Sequence, residues 1–275
     1  MTRWNRSLAA ATACALALAG TACAQPAAAP PAADYAPSVG QAGKDVVWVP
    51  TSQTLVDRML DMAGLTPQDR LVDLGSGDGR MVITAAKRGA VARGIEFNPD
   101  LVAMSRRAAT AEGVAARASF ENADIFKSDF RNATVVTLFL LPDLNMRLRP
   151  TLLDMPPGTR VVSNSFAMED WQPDESSQVV EGCAGYCTAL KWTVPAKVAG
   201  TWRLDGKELV LRQSFQMLEG TLRDGSNTVA ISDARLNGTQ IRFSAGAQRY
   251  SGQVAGNTMQ GTADGQAWSA SRRAN

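Results

Sequence analysis

Residues 71–80 read Leu-Val-Asp-Leu-Gly-Ser-Gly-Asp-Gly-Arg, and this run decides the fold. Leu71 to Leu74 is an apolar β-type run, and Arg80 to Arg88 has the apolar spacing of a helix. Between them lie Gly75, Ser76, Gly77, Asp78 and Gly79. Glycines at a strand-to-helix bend let the backbone turn sharply and come close to a ligand, and the helix that follows presents unpaired N–H groups to it. Outward from this bend the same alternation repeats. Ala92 to Glu96, Ala118 to Glu121, Ala133 to Leu140 and Thr159 to Ser165 read as strands. Ser52 to Ala63, Pro99 to Glu112 and Leu144 to Leu153 read as helices, with Asn98 and Asp143 as expected N-caps. Strands separated by helices give right-handed βαβ units, so residues 45–197 are expected to form an α/β domain around a parallel sheet.

Two nucleotide-binding readings of the bend fail on its residues. A dinucleotide fold places a third glycine three positions after the second, where this chain has Arg80; a P-loop requires Gly-Lys followed by Ser or Thr, which is missing. The Gly-x-Gly-x-Gly form with Asp73 at the strand end instead resembles motif I of the methyltransferases that use S-adenosylmethionine (SAM). In that family the acid helps to hold the cationic amino end of the methionine moiety, and Gly75, Ser76, Gly77 and Gly79 admit the nucleoside. Glu96 ends the next strand about twenty residues on, where a carboxylate can accept both ribose hydroxyls. Asp124 and Ile125 follow the third strand, where such enzymes set an acid or amide on the adenine amino group and an apolar neighbour against the ring. Three acids thus fall at three consecutive strand ends, although each alone reads as a solvated carboxylate or a helix cap.

Trp48-Val49-Pro50-Thr51, Glu96-Phe97-Asn98-Pro99 and Ala133-Thr134-Val135-Val136-Thr137-Leu138 extend the likeness. Over roughly residues 45–175 the chain resembles the membrane-anchored protein-lysine methyltransferases that modify mitochondrial inner-membrane proteins, together with their bacterial relatives. The resemblance implies a Rossmann-like, seven-stranded class I methyltransferase sheet, with SAM as methyl donor. It implies that Pro50 and Thr51 close over the cofactor beside Asn98, and that an amine acceptor, a protein lysine among the candidates, enters near the end of the fourth strand. That end reads Leu141-Pro142-Asp143-Leu144-Asn145, not the Asn/Asp-Pro-Pro-Tyr/Phe motif of many amine and amide methyltransferases. Asp143 or Asn145 is the expected residue to orient the amine, with Asn164 behind them; the competing reading has Asp143 capping the helix and Asn145 facing solvent.

The ends of the chain differ from this middle. Met1 to Arg6 carry two arginines and Ser7 to Ala22 are almost wholly Ala, Leu, Cys and Gly, the pattern of an export signal spanning residues 1–24, with cleavage expected after Ala24. Lipidation at Cys23, or retention of the segment as an anchor near the membrane, are the alternatives. The expected location is periplasmic or membrane-associated. Residues 25–44 read as an Ala/Pro-rich linker. Loss of residues 1–24 removes Arg3 and Arg6, leaving 26 of the 28 basic residues against 26 acidic, a balance that gives no reason to expect nucleic acid. The chain has no histidine, which excludes imidazole bases, Ser-His or Cys-His nucleophile pairs and His-ligated metals. Cys183 and Cys187, in Gly-Cys-Ala-Gly-Tyr-Cys, read as a disulfide across a turn; a metal site there lacks further ligands.

From 198 to 275 helical spacing stops. Asp205-Gly206, Asp224-Gly225, Asn237-Gly238, Gly256-Asn257 and Asp264-Gly265 break the segment into alternating strands, the signature of a small all-β barrel or sandwich of six to eight strands. Its aromatic residues Trp202, Phe215, Phe243, Tyr250 and Trp268 are either its core or the wall of a ligand cavity. The second choice leads to a rival function, an exported binding protein with a vestigial SAM fold.

Overall fold

Helix α1 (Gln53–Met62) is started by Ser52, whose hydroxyl accepts from the Leu55 N–H, and it buries Leu55, Val56, Met59 and Leu60 on one face. In the computed structural model, which describes residues 1–2 and 35–273, this helix opens a single compact unit running from Tyr35 onward. The expected export signal, its cleavage site after Ala24 and the linker up to residue 34 lie outside the described residues. Next come β1 (Arg70–Leu74), α2 (Arg80–Lys87), β2 (Val91–Glu96), α3 (Pro99–Ala111) and β3 (Ala118–Asn122). Then follow β4 (Val135–Leu138), α4 (Pro142–Leu153), β5 (Arg160–Asn164), β6 (Glu175–Gln178) and β7 (Thr188–Thr193). Asn98 caps α3 as expected, its side chain accepting from the Asp100 N–H with Pro99 at the first helical position. Asp143 does not cap α4. Leu141 holds that position and Pro142 begins the helix, so Asp143 sits in its first turn.

Seven strands form one sheet in the order β3-β2-β1-β4-β5-β7-β6. The β1–β2, β1–β4, β2–β3 and β4–β5 pairings are parallel. Every residue of β4 is buried, as a central parallel strand covered by helices on both faces should be. The expectation of a parallel sheet holds for these five strands only. β7 runs antiparallel between β5 and β6 and closes the sheet on that side. The sheet has the seven strands that the resemblance implies, but neither of these two is located from the sequence: β6 is the short polar run Glu-Ser-Ser-Gln, which carries no apolar alternation.

The segment after β7 forms an eight-stranded closed antiparallel barrel. Its strands are β8 (Gly200–Leu204), β9 (Lys207–Ser214), β10 (Met217–Asp224), β11 (Asn227–Asn237), β12 (Gln240–Ala245), β13 (Gln248–Ala255), β14 (Thr258–Ala263) and β15 (Gln266–Arg272). Pairing of β15 with β8 removes the free edges that an open meander would expose. Trp202, Phe243, Tyr250 and Trp268 point into the packed interior with Leu204, Leu209, Leu211 and Ile241. The Phe243 and Tyr250 rings stack at 4.6 Å. Phe215 departs from that expectation: it lies at the β9–β10 turn, packs on the core of the α/β domain and stacks on Trp171 at 6.0 Å. Arg235 of the barrel pairs with Asp174 at 2.6 Å, and Gln216 donates to the Gln172 carbonyl at 2.8 Å.

Candidate active site

The strand order reverses between β1 and β4, and ligands of such sheets bind outside the strands' carboxyl ends at this switch point. Here the carboxyl ends of β1, β2 and β4 open into a cavity of about 540 Å³, within the ~300–1,000 Å³ range of small-molecule sites. Gly75, Ser76 and Asp78 of the glycine bend line it, whereas Gly77 and Gly79, expected with them, shape the bend without lining the cavity. Gly75, Gly77 and Gly79 have φ of 79°, 53° and 80°, in the left-handed region that side chains resist. The bend is tied to β2, because Gly75 N–H and Ser76 N–H both donate to the Ile95 carbonyl, at 2.8 and 3.1 Å. A Cβ on Gly77 would lie 2.8 Å from Trp48 Nε1, and one on Gly79 would lie 2.7 Å from both Phe120 and Ser105.

The three strand-end acids line this one cavity. Glu96 accepts from Gly77 N–H at 2.9 Å and from Asn98 N–H at 2.8 Å, locking the bend to the start of α3 and leaving further lone pairs for a diol. Asp73 is buried and accepts from the Thr137 hydroxyl at 2.7 Å. Burial pushes its carboxyl up to about 7; the Thr137 bond opposes the rise, and the charges of Glu96 and Asp78 add to it. Asp124 accepts from Phe126 N–H at 2.9 Å and from Lys44 at 3.0 Å, and those two bonds hold its pKa below the usual carboxylate value. Ile125 and Asn98 also line the cavity.

The cavity is roofed by residues 41–51, so the last four residues of the stretch read as a linker, 41–44, belong to the site. Within that stretch Gln41 donates to the Tyr35 hydroxyl at 2.6 Å, and Lys44 reaches Asp124 and lies 5.2 Å from the Phe97 ring centroid. Pro50 and Thr51 line the cavity as expected. Arg80 donates to the Thr51 carbonyl at 2.7 Å, and Asn164 donates to the Thr51 hydroxyl at 3.2 Å. Asn164 is therefore a brace for the roof.

The expected amine-orienting pair is not in the cavity. Asp143 is exposed outside it. Asn145 is fully buried, neither facing solvent nor lining the cavity, and donates to the Phe166 and Ala167 carbonyls at 3.1 and 3.4 Å. It positions the turn after β5. In place of that pair, the far end of the cavity holds Phe139, Phe166 and Tyr186 with Leu140 and Leu141. Nothing in the linear pattern singled these aromatics out, because they come from three separate connections. Cys183 and Cys187 form the expected disulfide.

The donor set fits a cationic, hydroxyl-bearing ligand such as SAM. Among the described residues the cavity is lined by five carboxylates, Asp45, Asp73, Asp78, Glu96 and Asp124, against two cations, Lys44 and Arg80, each already paired to an acid. Ser76 lines the same space, and its buried hydroxyl has no hydrogen-bond partner among the described residues. A buried polar atom of this kind calls for a ligand or water to satisfy it.

Fold and site together define a class I SAM-dependent methyltransferase. A family model described as the ANTKMT methyltransferase domain matches residues 73–175. A protein-lysine N-methyltransferase of Saccharolobus islandicus is 41% identical over 140 residues, covering 50% of this chain and 87% of that protein. The adenine nucleotide translocase lysine N-methyltransferase of Mus musculus is 37% identical over 130 residues, 46% of this chain, which spans only about half (56%) of that relative's length. A crystal structure described as an RNA methyltransferase from Salinibacter ruber with S-adenosyl-L-homocysteine is 47% identical. It matches with a TM-score of 0.51 over 55% of this chain and 96% of that one. The chain belongs to the methyltransferase family that these protein-lysine enzymes share, and SAM is its methyl donor.

Proposed function

We propose that this protein methylates the ε-amine of a lysine in a protein acceptor. The observation that carries the reading is the far end of the cavity, where Phe139, Phe166 and Tyr186 with Leu140 and Leu141 make an apolar wall, and no cation among the described lining residues is left without an acid partner. A nucleic-acid acceptor would call for cations to meet its phosphates, whereas the methylene stem of a lysine packs on apolar and aromatic walls. The names of the lysine-methylating relatives support a protein acceptor, and the 47%-identical structure described as an RNA methyltransferase makes RNA the competing arm of the test.

In this reading Asp73 meets the cationic amino end of the methionine moiety, Glu96 takes the ribose hydroxyls, and Asp124 with Ile125 bounds the adenine. The glycine bend lets the backbone come close, and Pro50 and Thr51 close the roof. SAM supplies a methyl carbon on a sulfonium, whose departure as a neutral thioether needs no oxyanion stabilisation. What the chain must add is alignment, which can supply most of the rate in an in-line displacement. The amine must also be unprotonated to attack. The apolar mouth of Phe139, Leu140, Leu141 and Phe166 favours the neutral form by withholding water from the ammonium. Asn145 serves this indirectly by fixing the Phe166 turn.

We read the first 24 residues as an export signal, so acceptors at the membrane or in the periplasm are the first pool to test. Incubating the protein with methyl-tritiated SAM and separate membrane-protein, soluble-protein and RNA fractions should place label in protein, recovered as methyl-lysine after hydrolysis. Label confined to RNA would overturn the lysine reading while leaving the methyltransferase class intact.

A further inference from the structure

Phe139 follows β4, Phe166 follows β5, and Tyr186 stands in the loop between β6 and β7. Their ring centroids lie 6.1 Å apart for Phe139 and Phe166, 5.3 Å for Phe139 and Tyr186, and 5.6 Å for Phe166 and Tyr186. All three line the cavity at the end away from Glu96 and Asp124. The Phe139–Phe166 planes differ by 19°, while Tyr186 is tilted to both by 61° and 48°, so the three rings are not a flat stack. A cation within ~6 Å of a ring centroid is attracted by the face of the ring, and the spacing of these three rings puts one head group within that reach of all three centroids.

Tyr186 is the unusual member. It is half exposed and its φ of 54° lies in the left-handed region, which a tyrosine adopts only when its surroundings impose it. Those surroundings are a closed loop. Cys183 and Cys187 are disulfide-bonded around it, Cys187 is tied to Val179 by a 2.8 Å backbone bond, and Gly182 packs on Thr54 of α1. Closing so short a loop restrains the backbone that carries Tyr186.

We propose that Phe139, Phe166 and Tyr186 form an acceptor subsite for the methylene stem and methylated ammonium head of a lysine side chain, with the Cys183–Cys187 disulfide holding Tyr186 in place. The subsite deepens the lysine reading and rests on it. It also gives the reaction a preference: a methylated amine, whose ammonium form is less strongly hydrated, loses less on entering this apolar end and so gains affinity here, while its neutral form remains the one that attacks, which favours successive transfers to one acceptor. Phe139 and Phe166 stand just after strands of the sheet, whereas Tyr186 is on the disulfide-closed loop beyond the region that the family model matches.

The test uses the full-length protein saturated with S-adenosylhomocysteine and two probes, Nα-acetyl-Nε-trimethyl-lysine methylamide and its neutral tert-butyl isostere, titrated by calorimetry. The wild type should bind the cationic probe more tightly than the isostere by about three- to thirtyfold, the span from an exposed to a desolvated cation on aromatic faces. Tyr186→Ala should abolish that preference and Tyr186→Phe should restore it. The Cys183→Ser/Cys187→Ser double variant should lose it while S-adenosylhomocysteine still binds, which guards against simple misfolding. Equal affinity for the two probes in the wild type, or a preference unchanged in Tyr186→Ala, overturns the subsite. Methyl-lysine formation that proceeds with unaltered KM in Tyr186→Ala would retain the lysine function and reject the subsite. Selective probe binding without lysine methylation would do the reverse.

Discussion

Replacing Glu96 by Ala weakens SAM binding by about tenfold or more, taking ~1–3 kcal/mol for each lost hydrogen bond to a charged group. Glu96 has two duties that the substitution removes together. Its carboxylate accepts from Gly77 and Asn98 N–H groups, which ties the glycine bend to α3, and its remaining lone pairs face the cavity where a ribose would sit. A Gln at this position keeps an acceptor for one of the two N–H groups but presents an amide donor to the other. Glu96→Gln should therefore fall between wild type and Glu96→Ala in calorimetric titrations. Melting curves of the ligand-free variants separate the two duties: loss of the bend lowers Tm without ligand, whereas loss of the diol contact lowers only the ligand-induced rise. Unchanged affinity in Glu96→Ala would remove Glu96 from the cofactor site.

SAM binding should strengthen as pH rises through 7, and Asp73→Asn should flatten that dependence. Burial has lifted the Asp73 carboxyl from an ordinary 3.8 to about 7 in the ligand-free protein. Between those values the folded state holds a proton that the unfolded state has released. Stability of the ligand-free protein therefore falls as pH rises from about 4 to about 7, by on the order of 4 kcal/mol for a shift of this size, and is flat above. A cationic amino group placed against Asp73 favours the carboxylate and pulls its pKa back down. Binding below pH 7 then expels a proton, and affinity improves as pH rises until the carboxyl is ionised beforehand. Calorimetry at pH 6, 7 and 8 in buffers of differing ionisation enthalpy counts that proton. A pH-independent affinity with no proton release would mean that Asp73 does not meet the cation.

The parts of this structure that could be read from the chain are those whose signal is local. A strand, a glycine bend and an amphipathic helix are each specified within a few residues, so β1 to β5 emerge from periodicity, and the acids at the ends of β1, β2 and β3 gain their meaning from the family resemblance. The Asp-Gly and Asn-Gly turns did the same for the barrel. What escaped depends on distant partners. Residues 35–44 have the composition of a linker, yet Lys44 reaches Asp124, 80 residues away, and so helps roof the cavity. Asn145 reads as a surface amide beside Asp143; it is buried because the turn at Phe166 and Ala167 offers it carbonyls that no pattern in α4 reveals. Phe139, Phe166 and Tyr186 become neighbours only when β7 enters the sheet beside β5, and β6, which leads into it, is too polar and short to announce itself.

The most direct test of the central claim, that the cavity at the switch point is the SAM site, is calorimetric titration of the folded full-length protein with SAM. Saturable binding at one site per chain is expected, weakened in Glu96→Ala and dependent on pH through Asp73. A correctly folded protein that takes up no SAM at any pH between 6 and 8 would contradict it.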